Sequence, residues 1–361
     1  MTNAYAQYPL ESIRSSPILP FKDTARLTIG TEAIGFFKDN EYFSPIAKGK
    51  TLPGMIIRPT IGYQPKTNIR IEFGMHGLLY SGDTKSNIQG SPFSRIEYQP
   101  LKNASVIFGN YYGGNNHRLL EPIYRWENHL ERKPESGLQF LFEDKQFFVD
   151  TWINWEHFIR RGDSLPEILT YGFSGAAAIG PPLFPEMRIN IPLQLTIHHE
   201  GGQIEISQKK VIVVGNLATG VSSNLSINER HVKDIGLDLY VIGYYDKLPD
   251  KNLRPFRKGI GLYVLVKCKT SNIDLQTGIW YAKKFYSFDG ESLFASFNTD
   301  YPQQLFPTRK LITNKCIFRG QTNKSLPIRI QIETYTDITR NFATDYSLGI
   351  FIYTNFRFFN K

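Results

Sequence analysis

Few short spacings in this chain bring chemistry-bearing side chains together. His198, His199 and Glu200 stand in one run. Adjacent residues of a strand point to opposite sides, so the two histidines cannot share a metal ion. His198 and Glu200 do share a face, where they could trade a proton or simply hydrogen-bond. His-x-Ser and Asp-x-His occur nowhere, so no nucleophile–base pair sits two apart on one strand face. Gly113-Gly114 is a turn signal and not a phosphate cradle. The richest stretch is 114–136, with His117, Arg118, Glu121, Arg125, Trp126, Glu127, His129, Glu131, Arg132 and Lys133, interrupted by Pro122 and Pro134. Nothing in these spacings calls for a metal or cofactor, and the expectation is a protein that is not an enzyme.

The elements that must position these residues alternate with period two. Ile69, Ile71, Phe73, Met75 and Leu79 oppose Arg70, Glu72, His76 and Tyr80; Met187 to Ile197 and Ile328 to Ile338 repeat the pattern. It predicts strands over 24–37, 52–64, 67–82, 91–101, 103–113, 135–144, 146–160, 167–181, 186–200, 208–227, 234–247, 256–269, 272–287, 309–320, 325–338 and 346–359. That is about 16 strands, within 14 to 18 because Gly201-Gly202, Gly215 and Gly220 leave room for another hairpin. Gaps alternate between short turns (Pro65-Lys66, Lys102-Asn103, Ser271) and long ones (38–51, 114–134, 247–256, 288–308). No run approaches the roughly 18 apolar residues of a membrane helix, and a mean hydropathy of -0.30 suits strands with one polar face. The fold class expected is all-β: a closed antiparallel transmembrane β-barrel over 24–361, because an open edge finds no water in a bilayer. Residues 1–23 read as a short periplasmic N-terminal segment, with both termini on the periplasmic side. Ala4-Tyr5-Ala6 looks like the tail of a cleavage site, so 1–6 read as a signal-peptide remnant.

The closing run Leu348–Phe359 places Leu348, Ile350, Ile352, Phe356 and Phe358 on one face. It resembles the C-terminal aromatic strand that bacterial outer-membrane proteins present to their assembly machinery, with Phe356, Phe358 and Phe359 as that signal, although Asn360 and Lys361 follow the last aromatic. The whole chain resembles a porin-like outer-membrane barrel. The resemblance implies an outer-membrane location, short periplasmic turns, long external loops, and contact with bilayer lipid, lipopolysaccharide and the barrel-assembly machinery. A porin-like channel for passive diffusion of small polar solutes is the leading expectation. A non-conducting scaffold for envelope proteins is the alternative, and a lipid-modifying enzyme comes third because barrel lipid hydrolases pair His and Ser two apart. A homo-oligomer or an envelope partner is open; no nucleic-acid motif accompanies the net charge of +9.

Strand parity predicts an inner wall carrying Arg70, Glu72, Asp150, Asn154, Glu156, Arg188, Gln194, Asp238, Asp274, Arg329, Glu333 and Arg357. These mixed charges either line a water-filled pore, the favoured reading, or pair across it and plug it. Arg118, Glu121, Arg125, Trp126 and Glu127 belong to the third external loop, which either folds inward as a constriction around a short helix or stands outside as a partner contact. Lys251, Arg254, Arg257 and Lys258 are candidates for outer-leaflet phosphates. Phe294, Phe297, Tyr301 and Phe306 suggest an exposed contact set. Phe36, Phe37, Tyr111, Tyr112, Tyr244, Tyr245, Phe285 and Tyr286 fall near strand ends, where interfacial aromatics collect. Cys268 and Cys316 read as lipid-facing and too far apart for a disulfide.

Overall fold

The computed structural model describes residues 26–359 apart from 85–87, 181–185, 203, 205, 207–209, 228–230 and 322–326. The expected segment 1–23 therefore lies outside the described residues. Sixteen strands follow one another: β1 (Arg26–Glu41), β2 (Thr51–Lys66), β3 (Ile69–Tyr80), β4 (Gln89–Leu101), β5 (Ala104–Asn110), β6 (Ser136–Glu143), β7 (Phe147–His157), β8 (Ile168–Ile179), β9 (Met187–Glu200), β10 (Ile212–Ser226), β11 (Val232–Asp246), β12 (Lys258–Thr270), β13 (Ile273–Lys283), β14 (Thr308–Gln321), β15 (Pro327–Asp337) and β16 (Ala343–Phe359). Each pairs antiparallel with the next, and β16 returns to β1 to close the ring. Between β9 and β11 the described residues hold the single strand β10, with no extra hairpin.

Closure runs from Thr28↔Phe359 to Glu41↔Tyr346. This long register satisfies the backbone groups that would otherwise be orphaned in lipid. Its outward side carries Ile350, Ile352, Phe356 and Phe358, all well exposed, while Phe351 turns inward and is fully buried. The exposed apolar residues Ile61, Phe73, Leu237, Val266, Ile279 and Ile332 continue that outer surface around the ring. Cys268 and Cys316 are free and half-buried, and both lie opposite Leu275, one strand away on either side. Their separation is the two-strand spacing expected from parity.

The inside is not an empty tube. The external loops 111–135 and 284–307 fold into the lumen and pack against each other. Arg125 N–H donates to the Asp289 carbonyl at 2.7 Å and Glu291 N–H to that of Glu121 at 3.0 Å. Leu120, Ile123, Leu293, Phe294 and Phe297 are at most 1% exposed and join Tyr240, Tyr263, Trp280 and Tyr335 of the wall in one apolar cluster. Three sequence expectations are corrected here. Phe294 and Phe297 are lumenal filling, not an exposed contact set, though Tyr301 is exposed. Phe36, Tyr111, Tyr112, Tyr244 and Phe285 are buried inside, and only Phe37 and Tyr245 of that group are well exposed. The short helix reduces to a 3-10 turn at Gly114–His117 and one α-turn, Asn128–Glu131. Alternation reports which face a residue takes, but not that a loop will supply the inner face with apolar partners.

Wall packing is close where β10 meets β11. A Cβ at Gly220 would lie 1.9 Å from the Leu239 carbonyl oxygen, a backbone atom that cannot move without breaking the ladder. Gly220→Val should therefore cost about 1–3 kcal/mol or more. The check is the temperature at which the heat-modifiable folded band is lost on electrophoresis; unchanged resistance would refute the packing.

Candidate functional site

The third external loop is held inward by side chains of the wall. Gly114 takes the left-handed backbone (φ 62°) that starts the turn, with His129 against the place a Cβ would occupy. Gln194 of β9 treats the loop as an extra strand, accepting from Leu120 N–H and donating to the Arg118 carbonyl, both at 2.9 Å. His117 is fully buried and stacks on Trp152 with ring centroids 3.4 Å apart. Its Nδ1 lies 2.8 Å from Asp150 and its Nε2 2.8 Å from Glu135. Burial pulls the His117 pKa down, but the two carboxylates outweigh it and raise it to about 9. Burial likewise pushes Glu135 up, yet His117, Tyr124 and the Gly114 N–H bring it down to about 2.

A second set of charges clamps the other flank. Lys315 reaches Glu333 at 2.7 Å and Glu121 at 3.1 Å, and Tyr335 donates to Glu121 at 2.7 Å. Lys38 pairs with Glu333, donates to Ser347 at 2.7 Å, and lies 3.5 Å from Glu127. Trp126 packs edge-on to Phe351 with Lys38 near its ring face. Burial, then neighbouring Glu127, pushes the Glu291 carboxyl above its ordinary range against the opposing pull of Arg125.

Most of the expected inner-wall residues do face inward, but in pairs. Arg70 lies 3.6 Å from Glu97, Glu72 3.2 Å from Arg95, Asp238 2.7 Å from Lys267 and Asp274 2.7 Å from Arg319. Asn154 accepts from Ser136 N–H, and Glu156 accepts from Thr170. Arg188 donates to the Lys145 carbonyl at the periplasmic end. Arg329 is half-buried, and Arg357 registers opposite the buried Gly30. His198 bonds Glu200 at 3.1 Å and stacks on Phe288, a held lumenal histidine, whereas His199 is tied to the Gly201 carbonyl. Arg118 lies over the Phe148 ring and pairs with Glu143; Arg125 pairs with Glu131. Of the four phosphate candidates, Arg254 is corrected: it is buried and donates to Asp246 at 2.7 Å. Lys251, Arg257 and Lys258 are exposed.

Between the loop and the wall of β1 to β9 lies a cavity of about 680 Å³. Glu32, Arg58, His76, Ser91, His129 and Glu135 line it. His76 and Ser91 face each other across the β3–β4 ladder, which brings their Cβ atoms to about 5 Å. The Ser91 hydroxyl and the Nε2 atoms of His76 and His129 are buried without a hydrogen-bond partner. Arg58, paired with Glu32 at 2.8 Å, approaches His76 Nδ1 at 3.4 Å. With a donor at Nδ1, a neutral His76 carries its proton on Nε2, pointed at the cavity. Burial first, then Arg58, holds His129 below its ordinary value, so it is neutral at pH 7 and able to accept a proton. Among the described residues no group of three or more His, Cys, Asp or Glu could hold a metal ion.

Residues 19–361 match the family described as lipid A 3'-O-deacylase-type. The chain belongs to that family. No curated protein matches it. Among solved structures it is similar to OprD of Pseudomonas aeruginosa (TM-score 0.54, 7% identity, 94% of this chain and 97% of that one) and OccAB4 of Acinetobacter baumannii (0.51, 8%, 94% and 100%). It is also similar to OmpT, an outer membrane protein of Vibrio cholerae (0.51, 8%, 94% and 100%). At these identities the likeness is one of fold, and it identifies a bacterial outer-membrane β-barrel of porin-like architecture. The expectation that the protein is not an enzyme is overturned, because the family is an enzyme family. His76 and Ser91 are 15 positions apart in the chain but share a rung, so a search for His and Ser two apart on one strand does not bring them together. Their parity toward the lumen was the available signal.

The His117 clamp predicts a pH window. A histidine whose pKa rises from 6.5 to about 9 adds stability below about pH 6.5 that is lost as pH climbs through 9; the shift amounts to about 3 kcal/mol. Glu135, lowered to about 2, adds stability above about pH 4.5 that is lost as pH falls through 2. Protease cleavage within 114–134 should rise sharply between pH 7 and 10. In His117→Gln it should be fast throughout; a pH-independent wild type would refute the clamp.

Proposed function

We propose that this outer-membrane barrel hydrolyses an acyl ester of an outer-leaflet glycolipid of the lipid A class, in the cavity between the third external loop and β1 to β9. The observation that carries the reading is the convergence there of three buried, unpartnered groups, Ser91 Oγ, His76 Nε2 and His129 Nε2, in a chain of this family. Loose contacts without substrate are usual for catalytic groups and tighten on binding.

Ser91 Oγ attacks the ester carbonyl carbon as His129 takes its proton. His76 Nε2–H donates to the carbonyl oxygen as it gains negative charge. Collapse breaks the ester C–O bond, and His129 returns the proton to the departing sugar oxygen. Water, with its proton taken by His129, then attacks the acyl carbon; the bond to Ser91 Oγ breaks, His129 returns the proton to Oγ, and the fatty acid leaves. Arg58 keeps His76 in the donating tautomer, and Glu32 keeps Arg58 in place. The site lies toward the external ends of β3 and β4, the outer-leaflet side of the barrel.

Purified protein in mixed micelles with lipid A, assayed by mass spectrometry for loss of one acyl chain, tests this. Ser91→Ala should lose activity by about 100-fold or more, and His129→Gln by a similar factor. Full activity in Ser91→Ala would refute the assignment.

A second reading, passage of small polar solutes, is supported by the sixteen-strand size and the charged inner wall. The inward packing of both loops opposes it. Single-channel recording should give little current from the wild type and stable steps once residues 117–133 are deleted; large ohmic steps from the intact chain would favour the channel.

A further inference from the structure

We propose that the outer wall of β12 to β14 carries a second lipid site, on the far side of the ring from the cavity, which holds the phosphorylated headgroup of an outer-leaflet lipid. Lys258, Lys283 and Lys310 are exposed at the external ends of three consecutive strands. Each shares its parity with outward apolar residues: Ile260 on β12, Ile279 on β13 and Ile312 on β14. The ladder staggers them, with Ile260 opposite Lys283 and Tyr281 opposite Lys310, so each cation stands about 8 Å from the next along a diagonal row about 17 Å long, measured at Cα. Arg257, also exposed, lies over the outward Tyr245 ring, and Lys283 approaches that of Tyr281.

Two features separate this patch from ordinary solvated lysines. Its charge is not neutralised by the protein. Among the described residues Arg257, Lys258, Lys283 and Lys310 form no ion pair, and Asp250 is the single carboxylate within 247–260, 281–284 and 307–312. The arginines of the same segments, Arg254 and Arg309, turn inward to Asp246 and Asp337. Within this patch the buried cations Arg254 and Arg309 are paired and the outward ones are not.

The second feature is depth. Leu262, Val264 and Val266 continue below Lys258 on the outward face, and Ile279 and Leu275 continue below Lys283. The cations therefore stand where the apolar band ends and Tyr245 and Tyr281 mark the interface, the level of lipid phosphates. A soluble anion needs no apolar wall beneath it; a phosphorylated lipid uses both. The site owes nothing to Ser91 or the cavity, so it stands or falls apart from the hydrolytic reading.

The probes are bis-phosphorylated lipid A, its dephosphorylated form and inorganic phosphate, each added to delipidated protein in uncharged detergent and followed by native mass spectrometry. All variants are made in the Ser91→Ala background, which leaves the probe's acyl esters intact, and that parent should retain the phosphorylated lipid. Lys258→Gln/Lys283→Gln/Lys310→Gln should weaken retention about tenfold or more. Arginine at the three positions should restore it, and Lys48→Gln/Lys102→Gln should not alter it. Equal retention by the triple glutamine variant, equal binding of the dephosphorylated lipid, or displacement by millimolar phosphate alone would overturn the proposal. The heat-modifiable folded band of the triple variant separates lost binding from lost folding.

Discussion

Backbone hydrogen bonding in lipid is the constraint on which everything else here depends. A strand edge inside a bilayer has no water to satisfy it, so the pairing of β1 with β16 is a condition of the fold and not an ornament. Closure at sixteen strands sets the width of the lumen. A lumen that wide cannot be filled by wall side chains alone. It must hold water or receive another part of the chain, and here two external loops enter it.

Once the loops are inside, electrostatics governs how they sit. Charged groups removed from water must be paired and hydrogen-bonded, and the inner wall meets this with Lys315, Glu333 and Lys38 on one flank and Asp150 and Gln194 on the other. Such pairs add little net stability, since desolvation offsets most of their attraction. What they supply is position: a carboxylate such as Glu121 has one low-energy place to go. The same networks leave a cavity at β1 to β9 where Ser91, His76 and His129 lack partners. Gln64, Asn190 and Gln331 also hold buried polar atoms without partners; what sets Ser91, His76 and His129 apart is that a hydroxyl and two imidazoles share one cavity.

The third external loop shows how much local sequence leaves open. Leu119, Leu120, Ile123, Trp126 and Leu130 suggest a helix to be packed against something, yet only single turns form. Pro122 and Gly114 interrupt it, and contacts with Gln194, Asp150 and Lys315, all far away in the chain, decide its path. The aromatics near strand ends make the same point. Phe37 and Tyr245 face outward and Phe36 and Tyr244 inward, so parity was the better guide and nearness to a strand end the worse one.

Period-two alternation, connector lengths and the aromatic closing strand were enough to determine the barrel, a strand count of about 16 within 14 to 18, and the outward face, because each depends on neighbours in the chain and on the geometry of a single strand. The outward parity of Cys268 and Cys316 followed for the same reason. Tertiary structure alone decided that the lumenal charges pair, that the loops enter, and that His76 meets Ser91 across a rung while Arg254 turns away from solvent to Asp246. These depend on the register between strands and on where a loop finds partners. Both are fixed by closing the ring and desolvating its interior, and neither leaves a mark in the spacing along one strand.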